Sequence, residues 1–442
     1  MASIKAKPME LLGRGRINPW LHVDRQGVIL GRVTDAGEIQ LVTSERKVYD
    51  PREVEELLVV QPRVYPDLEG RWPDNDAEKW LVSGDAPSFS EVFVSLHHEL
   101  EAAVEFVRSE HATLVAVWGL ATYFHRLFLT FPRLLLLGER GCGKSKVLTV
   151  LQAVAWNASL SLTPTPAVLY RLTHETRPTQ LLDECEGLAG NDRQDILAIV
   201  NSGYKRGGNV PRCEGERKKQ VEFFEVYAPL ALAGIKGVNA TTEDRAIPIV
   251  MQRGTNRSRI NAEIDQTATT FTHIRSACYR LLLTRWEAVA KAYECVPFPE
   301  WLNSRARELW KPLLAVAQVA DQETDLELTR DLLALAREHV EDRSDLSEEG
   351  EAVLAALAER LCDTETIIVH PGDLGEDLKK RLGWREAPTP ERIAGWLRRL
   401  GFKRTKKGSK GAQYEIRAEQ FREVMARLIP ETTVTLSPSP CK

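Results

Sequence analysis

A glycine-rich octapeptide carries the residue types and spacing that point most directly to chemistry. Residues 138–145 read Gly-Glu-Arg-Gly-Cys-Gly-Lys-Ser and follow the apolar run 134–137. This order predicts a strand, a phosphate-binding loop and a helix that begins at Lys144. Glycines let backbone N–H groups surround phosphate oxygens, and a helix N-terminus adds partial positive charge. The pattern therefore predicts a nucleoside triphosphate site, with ATP and Mg²⁺ as cofactors.

The side chains of this loop have separate expected roles. Lys144 is expected to reach the β- and γ-phosphates, and the Ser145 hydroxyl is expected to ligate Mg²⁺. The alternative is a glycine loop that matches the pattern by chance. The predicted strand before it and the predicted helix after it argue against that alternative. The residues expected to contact the nucleotide are Gly138, Gly141, Cys142, Gly143, Lys144 and Ser145.

A second motif is the acidic pair Asp183 and Glu184, which ends the apolar segment 179–182. Asp183 is expected to hold Mg²⁺ through water, and Glu184 is expected to polarise the attacking water. An acidic pair at a strand end is common by itself. Its place downstream of the glycine-rich loop and before a helical pattern favours its interpretation as the catalytic partner of that loop.

Two arginines are candidates for contact with the transferred phosphoryl group. Arg245 follows the apolar segment 226–235, which predicts a third strand. A planar guanidinium suits the spread negative charge of phosphoryl transfer, and the alternative is a structural pair with Asp244 or another acid. Arg305 lies in a helical segment and is expected to touch the γ-phosphate when that segment closes as a lid. Its alternative is an arginine on a solvent-facing helix surface.

Two basic clusters are candidates for contact with DNA phosphates. The first lies between the acidic pair and the third strand, in a loop and a hairpin with a basic tip. It comprises Lys205, Arg206, Arg217, Lys218 and Lys219. The second is a turn between two strands that follow a helix capped by Thr389, and a further helix, 418–428, comes after them. It comprises Lys403, Arg404, Lys406, Lys407 and Lys410.

The order helix, strand, basic turn, strand, helix matches a winged helix, whose first helix would enter a DNA groove while the turn contacts phosphates. The alternatives are a solvated charged turn for the hairpin tip and a protein-docking module for the C-terminal region. The expected DNA is single-stranded or forked.

Length, composition and net charge limit the number of domains and the kinds of surface that this chain can have. The chain has 442 residues, 43% hydrophobic content, 28% charged content and a net charge of −4, so two or three soluble domains are expected and any DNA-binding surface must be local. The apolar stretch 112–137 contains His125, Arg126 and Arg133, which indicates a buried helix and strand rather than a membrane span. We expect a cytoplasmic protein with no membrane partner.

The cysteines support the same expectation. No CxxC pair is present, and no Cys/His spacing is typical of a zinc site, so free thiols in a reducing cytosol are expected. The seven cysteines are Cys142, Cys185, Cys213, Cys278, Cys295, Cys362 and Cys441.

The expected fold class is α/β, with alternating strands and helices from residue 138 to about 253. Segments 28–33 and 39–42 flank a turn and predict a hairpin near the N-terminus. The expected domains are an N-terminal, possibly β-rich region (1–85), a P-loop core with preceding helices (86–255), a helical lid (256–345), a winged helix (346–430) and a disordered tail (431–442).

Residues 88–430 resemble a family of ring-forming AAA+ ATPases. This family is a domain of unknown function found in plasmid, phage and integrative-element proteins, and it is related to minichromosome-maintenance-like helicases. The matching stretches are 130–136 with the P-loop, 177–184, 201–208, 231–235 with 244–249, and 305–316.

The resemblance implies a hexamer, a DNA-stimulated motor, basic inserts that face a central pore, and Arg245 acting on the ATP of a neighbouring copy. The third strand ends in Ala233-Gly234-Ile235-Lys236, without the Asn or Thr that many ring ATPases use there to position water.

The sequence thus predicts a ring-forming, ATP-dependent DNA helicase or translocase that serves replication of a mobile genetic element. One alternative is a DNA-dependent ATPase switch that does not unwind DNA, such as a loader, a transposition regulator or a defence protein. Another is a DNA-binding regulator whose ATP site controls only oligomerisation.

Overall fold

Two compact units make up the chain, Met1–Ala336 and Arg337–Lys442. The computed structural model describes residues 15–162, 164–184, 191–214, 220–235, 237–302, 304–342, 348–362, 364–408 and 411–428. The division differs from the expected one, because regions 1–85, 86–255 and most of 256–345 belong to a single unit. The second unit begins at Arg337 rather than at residue 346, and the expected tail, 431–442, lies outside the described residues.

The N-terminal region is a four-stranded antiparallel sheet in the order β1-β2-β3-β4. Its strands are β1 (Leu21–Asp24), β2 (Gly27–Val33), β3 (Ile39–Thr43) and β4 (Val48–Tyr49). The expected hairpin is present, with Val33 opposite Ile39. Two 3-10 helices follow, Pro51–Leu57 and Pro66–Leu68. A hydrogen bond from Arg177 to the carbonyl of Leu21 links this sheet to the segment before the acidic pair.

Three helices lead into the central sheet, and they are α1 (Asp74–Ser83), α2 (Phe89–Ala103) and α3 (Ser109–Ala121). Ser88 and Glu91 form a reciprocal capping box that fixes the start of α2. Helix α3 is buried from Ala112 to Ala121, as the apolar stretch predicts, and a 3-10 turn, Thr122–Leu127, follows it.

A five-stranded parallel sheet is the centre of the first unit. Its strands are β5 (Arg133–Leu137), β6 (Ser159–Ser161), β7 (Gln180–Leu182), β10 (Leu230–Gly234) and β11 (Ala246–Val250). Their order is β11-β5-β10-β7-β6, so β10 lies between the strand before the glycine-rich loop and the strand before the acidic pair. Strand β10 is shorter than the expected 226–235, and Pro229 directly before it has no N–H to donate.

Helices and one hairpin connect these strands. The helices are α4 (Lys144–Val154), α5 (Pro166–Thr176), α6 (Asn191–Ser202) and α7 (Ala240–Glu243). The hairpin consists of β8 (Asn209–Glu214) and β9 (Gln220–Glu225), which pair antiparallel.

The region after β11 is helical, as expected. It contains α8 (Arg257–Asn261), α9 (Thr269–Cys295), α10 (Ser304–Glu323) and α11 (Leu328–Asp342). The Tyr279 ring of α9 stacks on Trp72 at 5.2 Å between ring centroids and meets Tyr123 edge to face at 5.4 Å. These buried aromatic contacts tie α9, which belongs to the expected lid, to the segments before the sheet.

The second unit has a three-stranded antiparallel sheet in the order β12-β14-β13. Its elements are α12 (Glu348–Leu361), β12 (Thr366–Val369), α13 (Gly375–Arg381), α14 (Pro390–Arg399), β13 (Arg404–Gly408), β14 (Gly411–Arg417) and α15 (Ala418–Leu428). A 3-10 turn, Pro371–Leu374, precedes α13.

The helix–strand–strand–helix order expected from the sequence is present in this unit, and Thr389 caps α14 by accepting from the N–H of Arg392. Leu357, Leu397 and Ile416 lie in its core. None of the helices in the described ranges of either unit combines the length and apolarity that a bilayer crossing needs.

Candidate active site

The glycine-rich loop joins the end of β5 to the start of α4, as its pattern predicts. Gly141 has φ of +78° and Gly143 has φ of +94°, and this left-handed backbone favours glycine because a Cβ atom is strained there. Gly143 caps α4, and its carbonyl accepts from the N–H of Val147 at 3.1 Å. The N-terminus of α4 therefore faces the same space as the loop, an arrangement that suits an anion.

Lys144 is held inside this loop. Its side chain donates from Nζ to the carbonyls of Gly138 at 2.7 Å and Glu139 at 3.0 Å, and the residue is only 9% exposed. Cys142, which is also buried, places its Sγ 3.6 Å from the same ammonium. The positive charge is thus fixed at the centre of the loop before any ligand is bound, which limits the rearrangement that phosphate binding needs.

Ser145 and Asp183 meet across the sheet. The Ser145 hydroxyl donates to Oδ2 of Asp183 at 2.7 Å, although β10 separates the two strands that carry them. Mg²⁺ prefers such oxygen ligands and usually takes one or two protein ligands together with phosphate and water oxygens. Within the described ranges, no group of three or more His, Cys, Asp or Glu side chains could hold a metal ion. The Ser145–Asp183 pair fits this pattern for Mg²⁺.

Glu184 has an unusual backbone for its residue type. Its φ is +51°, and its N–H donates to Oδ1 of Asp183 at 2.9 Å. A non-glycine residue in the left-handed region carries strain that is concentrated at functional sites. The Glu184 side chain is exposed and lines the same cavity as Lys144 and Asp183. The two acidic residues therefore have different surroundings, one buried and hydrogen-bonded and the other open to the cavity.

These residues line one cavity of about 630 Å³, which is the size of a typical small-molecule site. The expected contacts Gly141, Cys142, Gly143, Lys144 and Ser145 are all in its lining, together with Asp183, Glu184 and the end of β10 at Gly234 and Ile235. Gly138 contributes its carbonyl to Lys144 instead. Gly234 and Ile235 contribute no polar side chain to this lining, in keeping with the sequence, which has no Asn or Thr at this strand end.

Sequence reasoning missed the second wall of the cavity. Ala103 ends α2, and Val104 and Glu105 follow it, whereas Gly254 precedes α8 and Arg259 and Ile260 lie within it. The first group lies well before the glycine-rich loop in the chain, and neither group belongs to a short motif. The weak signal that was available is Asn256, which caps α8 in the segment between β11 and that helix.

Arg245 lies at the amino end of the parallel strands, whereas the glycine-rich loop lies at their carboxyl end. It directly precedes β11, whose first residue pairs with Arg133 and whose last residue pairs with Leu137, at the start of the loop. Five strand residues therefore separate Arg245 from the loop edge, which corresponds to roughly 16 Å. Its guanidinium donates to Oδ1 of Asn201 at 3.1 Å.

Arg305 lies beside Arg245 rather than beside the loop. Its guanidinium contacts Asp244 at 3.0 Å and Glu308 at 2.6 Å, so the acidic partner considered for Arg245 belongs to Arg305. Both guanidiniums lie over the ring of Tyr204, at 5.8 and 6.0 Å from its centroid. Burial raises the pKa of Tyr204, which keeps this ring a neutral platform. In this arrangement Arg305 does not reach the phosphate-binding loop of its own chain.

The first basic cluster is only partly described. Lys205 and Arg206 are exposed, and Arg206 donates to the carbonyl of Arg126 at 2.9 Å. The expected basic tip, with Arg217, Lys218 and Lys219, lies outside the described residues. The described strands of this hairpin instead expose apolar side chains, since Val221 is 56% and Phe223 is 66% exposed.

The second basic cluster lies in the C-terminal unit. Lys403 and Arg404 are exposed just before and at the start of β13. The backbones of Lys406 and Lys407 pair with Gln413 and Ala412 of β14, so both residues lie in strand β13 rather than in the turn expected from the sequence. Lys410 lies outside the described residues. The described part of this cluster is therefore on one hairpin, at the edge strand of a small sheet.

Comparison with known proteins gives only distant similarities. The chain matches no protein-family model, and no curated protein matches its sequence. Among solved structures, it is similar to one titled "SCCmec type IV Cch - active helicase", with 13% identity, a TM-score of 0.42 and coverage of 93% of this chain and 80% of that chain.

It is also similar to the apo C-terminal region of NrS-1, with 10% identity, a TM-score of 0.38 and coverage of 93% of this chain and 98% of that chain. Similarities with such TM-scores do not indicate an activity for this chain. The functional proposal is based on the geometry of the site.

Proposed function

We propose that this chain hydrolyses ATP with Mg²⁺ and couples the reaction to movement along DNA or to its unwinding, in a ring of identical copies. The observation that carries the proposal is the Ser145–Asp183 hydrogen bond of 2.7 Å, in one cavity with Lys144 and Glu184. These are the groups that hydrolysis of a triphosphate needs: a cradle for phosphate, a cation site and a base.

Each residue has a defined task in this reaction. Loop N–H groups and the start of α4 bind phosphate oxygens, and the Lys144 ammonium neutralises their charge. Ser145 and Asp183 would hold Mg²⁺, which when bound offsets negative charge on the phosphates. Glu184, open to the cavity, accepts a proton from the attacking water as that water bonds to the γ-phosphorus. The bond to the β-phosphate oxygen then breaks, and ADP and inorganic phosphate leave.

The arginines support a shared site between copies. Arg245 lies roughly 16 Å from the loop of its own chain, at the amino end of the sheet, and Arg305 contacts Asp244 beside it. An arginine supplied by another subunit stabilises the charge of phosphoryl transfer in many nucleotide hydrolases. If copies pack with the amino end of this sheet against a neighbour's cavity, the arginines of one copy complete the site of the next. The hexamer is the assembly that the resemblance to AAA+ ATPases implies.

The proposal that DNA is the partner is based on the two basic clusters. Lys205 and Arg206 are exposed on the first unit, and Lys403 and Arg404 are exposed on a strand hairpin of the second. Lysine and arginine on protruding hairpins are typical contacts to the phosphate backbone. We propose that the C-terminal unit is a winged helix that recruits DNA, and that the role is replication of a mobile element, as the resemblance implies.

A strand-displacement assay on forked DNA tests the proposal. Wild-type protein should release the labelled strand only when ATP and Mg²⁺ are present, and Lys144→Ala protein should not release it. DNA-stimulated hydrolysis without displacement would favour the ATPase switch over the motor. If the wild-type protein does not hydrolyse ATP with or without DNA, the proposed function is wrong.

A further inference from the structure

The second wall of the cavity differs in character from the phosphate-binding wall. Val104 is buried, and its Cγ1 lies 3.5 Å from the place that a Cβ on Gly143 would occupy. Ile260 also lines the cavity and is 48% exposed. Apolar side chains do not bind phosphate, but they cover the flat face of a base well. This end of the cavity therefore suits the nucleoside part of a nucleotide.

The segment 254–260, which we call the strap, forms one side of this end. Glu105 holds its beginning with three hydrogen bonds. The Glu105 carboxylate accepts from the N–H of Thr255 at 2.7 Å, the hydroxyl of Thr255 at 3.0 Å and the N–H of Asn256 at 2.7 Å. The amides of Asn256 and Thr255 lower the pKa of Glu105, so this carboxylate is charged at neutral pH.

Lys146 holds the other end of the strap. Its Nζ donates to the carbonyls of Arg259 at 2.7 Å and Ile260 at 2.9 Å. Lys146 belongs to the first turn of α4, directly after Ser145, so the strap is tied to the same helix that would bind phosphate. A third link runs from Nε of Arg253 to the carbonyl of Arg140 in the glycine-rich loop at 3.1 Å.

The position of Gly254 explains how the strap can lie so close to Glu105. A Cβ at this residue would meet Oε2 of Glu105 at 2.9 Å and Cγ1 of Ile260 at 3.4 Å. Glycine therefore leaves the Glu105 carboxylate in place, whereas a larger residue would require it to shift. The carboxylate is thereby occupied by strap donors, which reduces the repulsion that a free carboxylate at this end would exert on a triphosphate.

We propose that the strap holds the nucleoside of the bound nucleotide against Val104, and that Glu105 and Lys146 are positioning residues that set its place. This inference rests on the proposed function, because it assigns the second end of the same cavity. Glu105 and Lys146 touch the strap rather than the reacting atoms, so they govern affinity for the whole nucleotide and not the rate of phosphoryl transfer.

Kinetics of a Glu105→Gln variant test the proposal. The amide nitrogen that replaces one carboxylate oxygen cannot accept a hydrogen bond from the strap, so we expect the KM for ATP to rise by about tenfold. We expect kcat to stay within about twofold of wild type, the pattern of an interaction lost from both ground state and transition state. The inhibition constant of inorganic tripolyphosphate, which has no nucleoside, should not change.

Two further variants provide a control and an independent repeat of this test. Glu101→Gln removes a carboxylate that pairs with His97 on the same helix, and it should leave all three constants unchanged. Lys146→Met should reproduce the effect of Glu105→Gln from the other end of the strap, which keeps the test decisive if one variant does not fold.

The outcomes separate this inference from the proposed function. Equal loss of ATP and tripolyphosphate binding, or no change in the KM for ATP, would overturn the strap while leaving an active ATPase. If the wild-type protein neither binds nor hydrolyses ATP, both proposals are wrong.

Discussion

The two ends of the parallel sheet differ in how their charged side chains are placed. At the carboxyl end, Lys144, Asp183 and Glu184 line a cavity of about 630 Å³. At the amino end, the charged residues are matched to each other within the chain. Arg126 and Arg177 contact the Glu225 carboxylate at 2.8 and 2.7 Å. Loops at the carboxyl ends of parallel strands are where ligands bind in such sheets.

The difference shows how one sheet can serve two sites. The amino end is a rigid platform, since buried Arg133 donates to the carbonyls of Ala228 and Val200 at 2.7 and 2.5 Å, and burial lowers its pKa to about 10. On the rim of that platform, Arg245 and Arg305 remain half-buried to exposed. We propose that the carboxyl end supplies the groups that bind a nucleotide and that the amino end supplies arginines for a neighbouring copy.

Replacing the rim arginine should have the largest effect. Because Arg245 would stabilise transition-state charge in a neighbour, we expect Arg245→Ala to lower kcat by about 1,000-fold. ATP binding should remain, since Arg245 is not part of the cavity lining. Steady-state phosphate release and equilibrium ATP binding measure the two properties.

A mixing experiment completes this test. Arg245→Ala chains keep an intact cavity, and Lys144→Ala chains keep an intact rim, so mixed assemblies should regain activity that neither protein has alone. Failure of mixing to restore activity, in assemblies shown to contain both chains, would contradict the shared site.

At the carboxyl end, Glu184→Gln should lower the hydrolysis rate by about 100-fold through loss of the general base. ATP affinity should stay close to that of wild type, because the phosphate cradle is intact. Single-turnover hydrolysis with a binding titration distinguishes the two effects. Glu139→Gln, at an exposed loop residue, is the matched control and should retain activity; an equal loss there would count against a specific role for Glu184.

The second rim arginine should matter less. Asp244 and Glu308 already hold the Arg305 guanidinium, so only part of its charge is available to a neighbour. We expect Arg305→Ala to lower kcat by about tenfold, well short of the Arg245 effect. The comparison uses the same phosphate-release assay, and an Arg305 effect equal to or larger than that of Arg245 would reverse our assignment of the two roles.

The smallest effect concerns stability at low pH. Burial opposes the charge of Glu225, but Arg177 and Arg126 lower its pKa to about 2, from the ordinary value of 4.5. A carboxyl whose pKa is lower in the folded state adds stability that is present above the ordinary pKa and is lost as pH falls toward the folded value. Thermal unfolding midpoints should therefore fall between about pH 4.5 and 2.

The Glu225→Gln variant should be less stable at neutral pH and should lose this part of the pH dependence. Glu222→Gln, at an exposed residue of the same strand, provides the charge-matched control. An unchanged pH profile in Glu225→Gln would show that the ion network does not contribute as described.

The residues of the phosphate end were accessible from sequence, whereas those of the second wall were not. Gly141, Gly143 and Lys144 lie within one short segment whose spacing follows from the backbone geometry of a loop that surrounds phosphate. Asp183 was found because it ends an apolar strand. Glu105 carries no such pattern: its partners Thr255 and Asn256 lie 150 and 151 positions away, and its neighbours in sequence indicate only the end of a helix.

The domain boundaries and the arginine assignment were also beyond local patterns. The expected lid was separated from the N-terminal region by composition and helical periodicity, but Trp72 and Tyr279 stack across that division. Asp244 was considered as a partner of Arg245, yet it contacts Arg305 from a distant helix.

The sequence by itself determined the elements and the chemistry of single segments: the strand–loop–helix around Lys144, the acidic strand end at Asp183, and the cap at Thr389. These depend on backbone preferences and on neighbours a few residues apart. Only the tertiary structure decided which segments face each other, namely the strap against Glu105 and the two arginines around Tyr204. Such contacts join residues far apart in the chain, and they are selected by the packing of the whole unit rather than by any local preference.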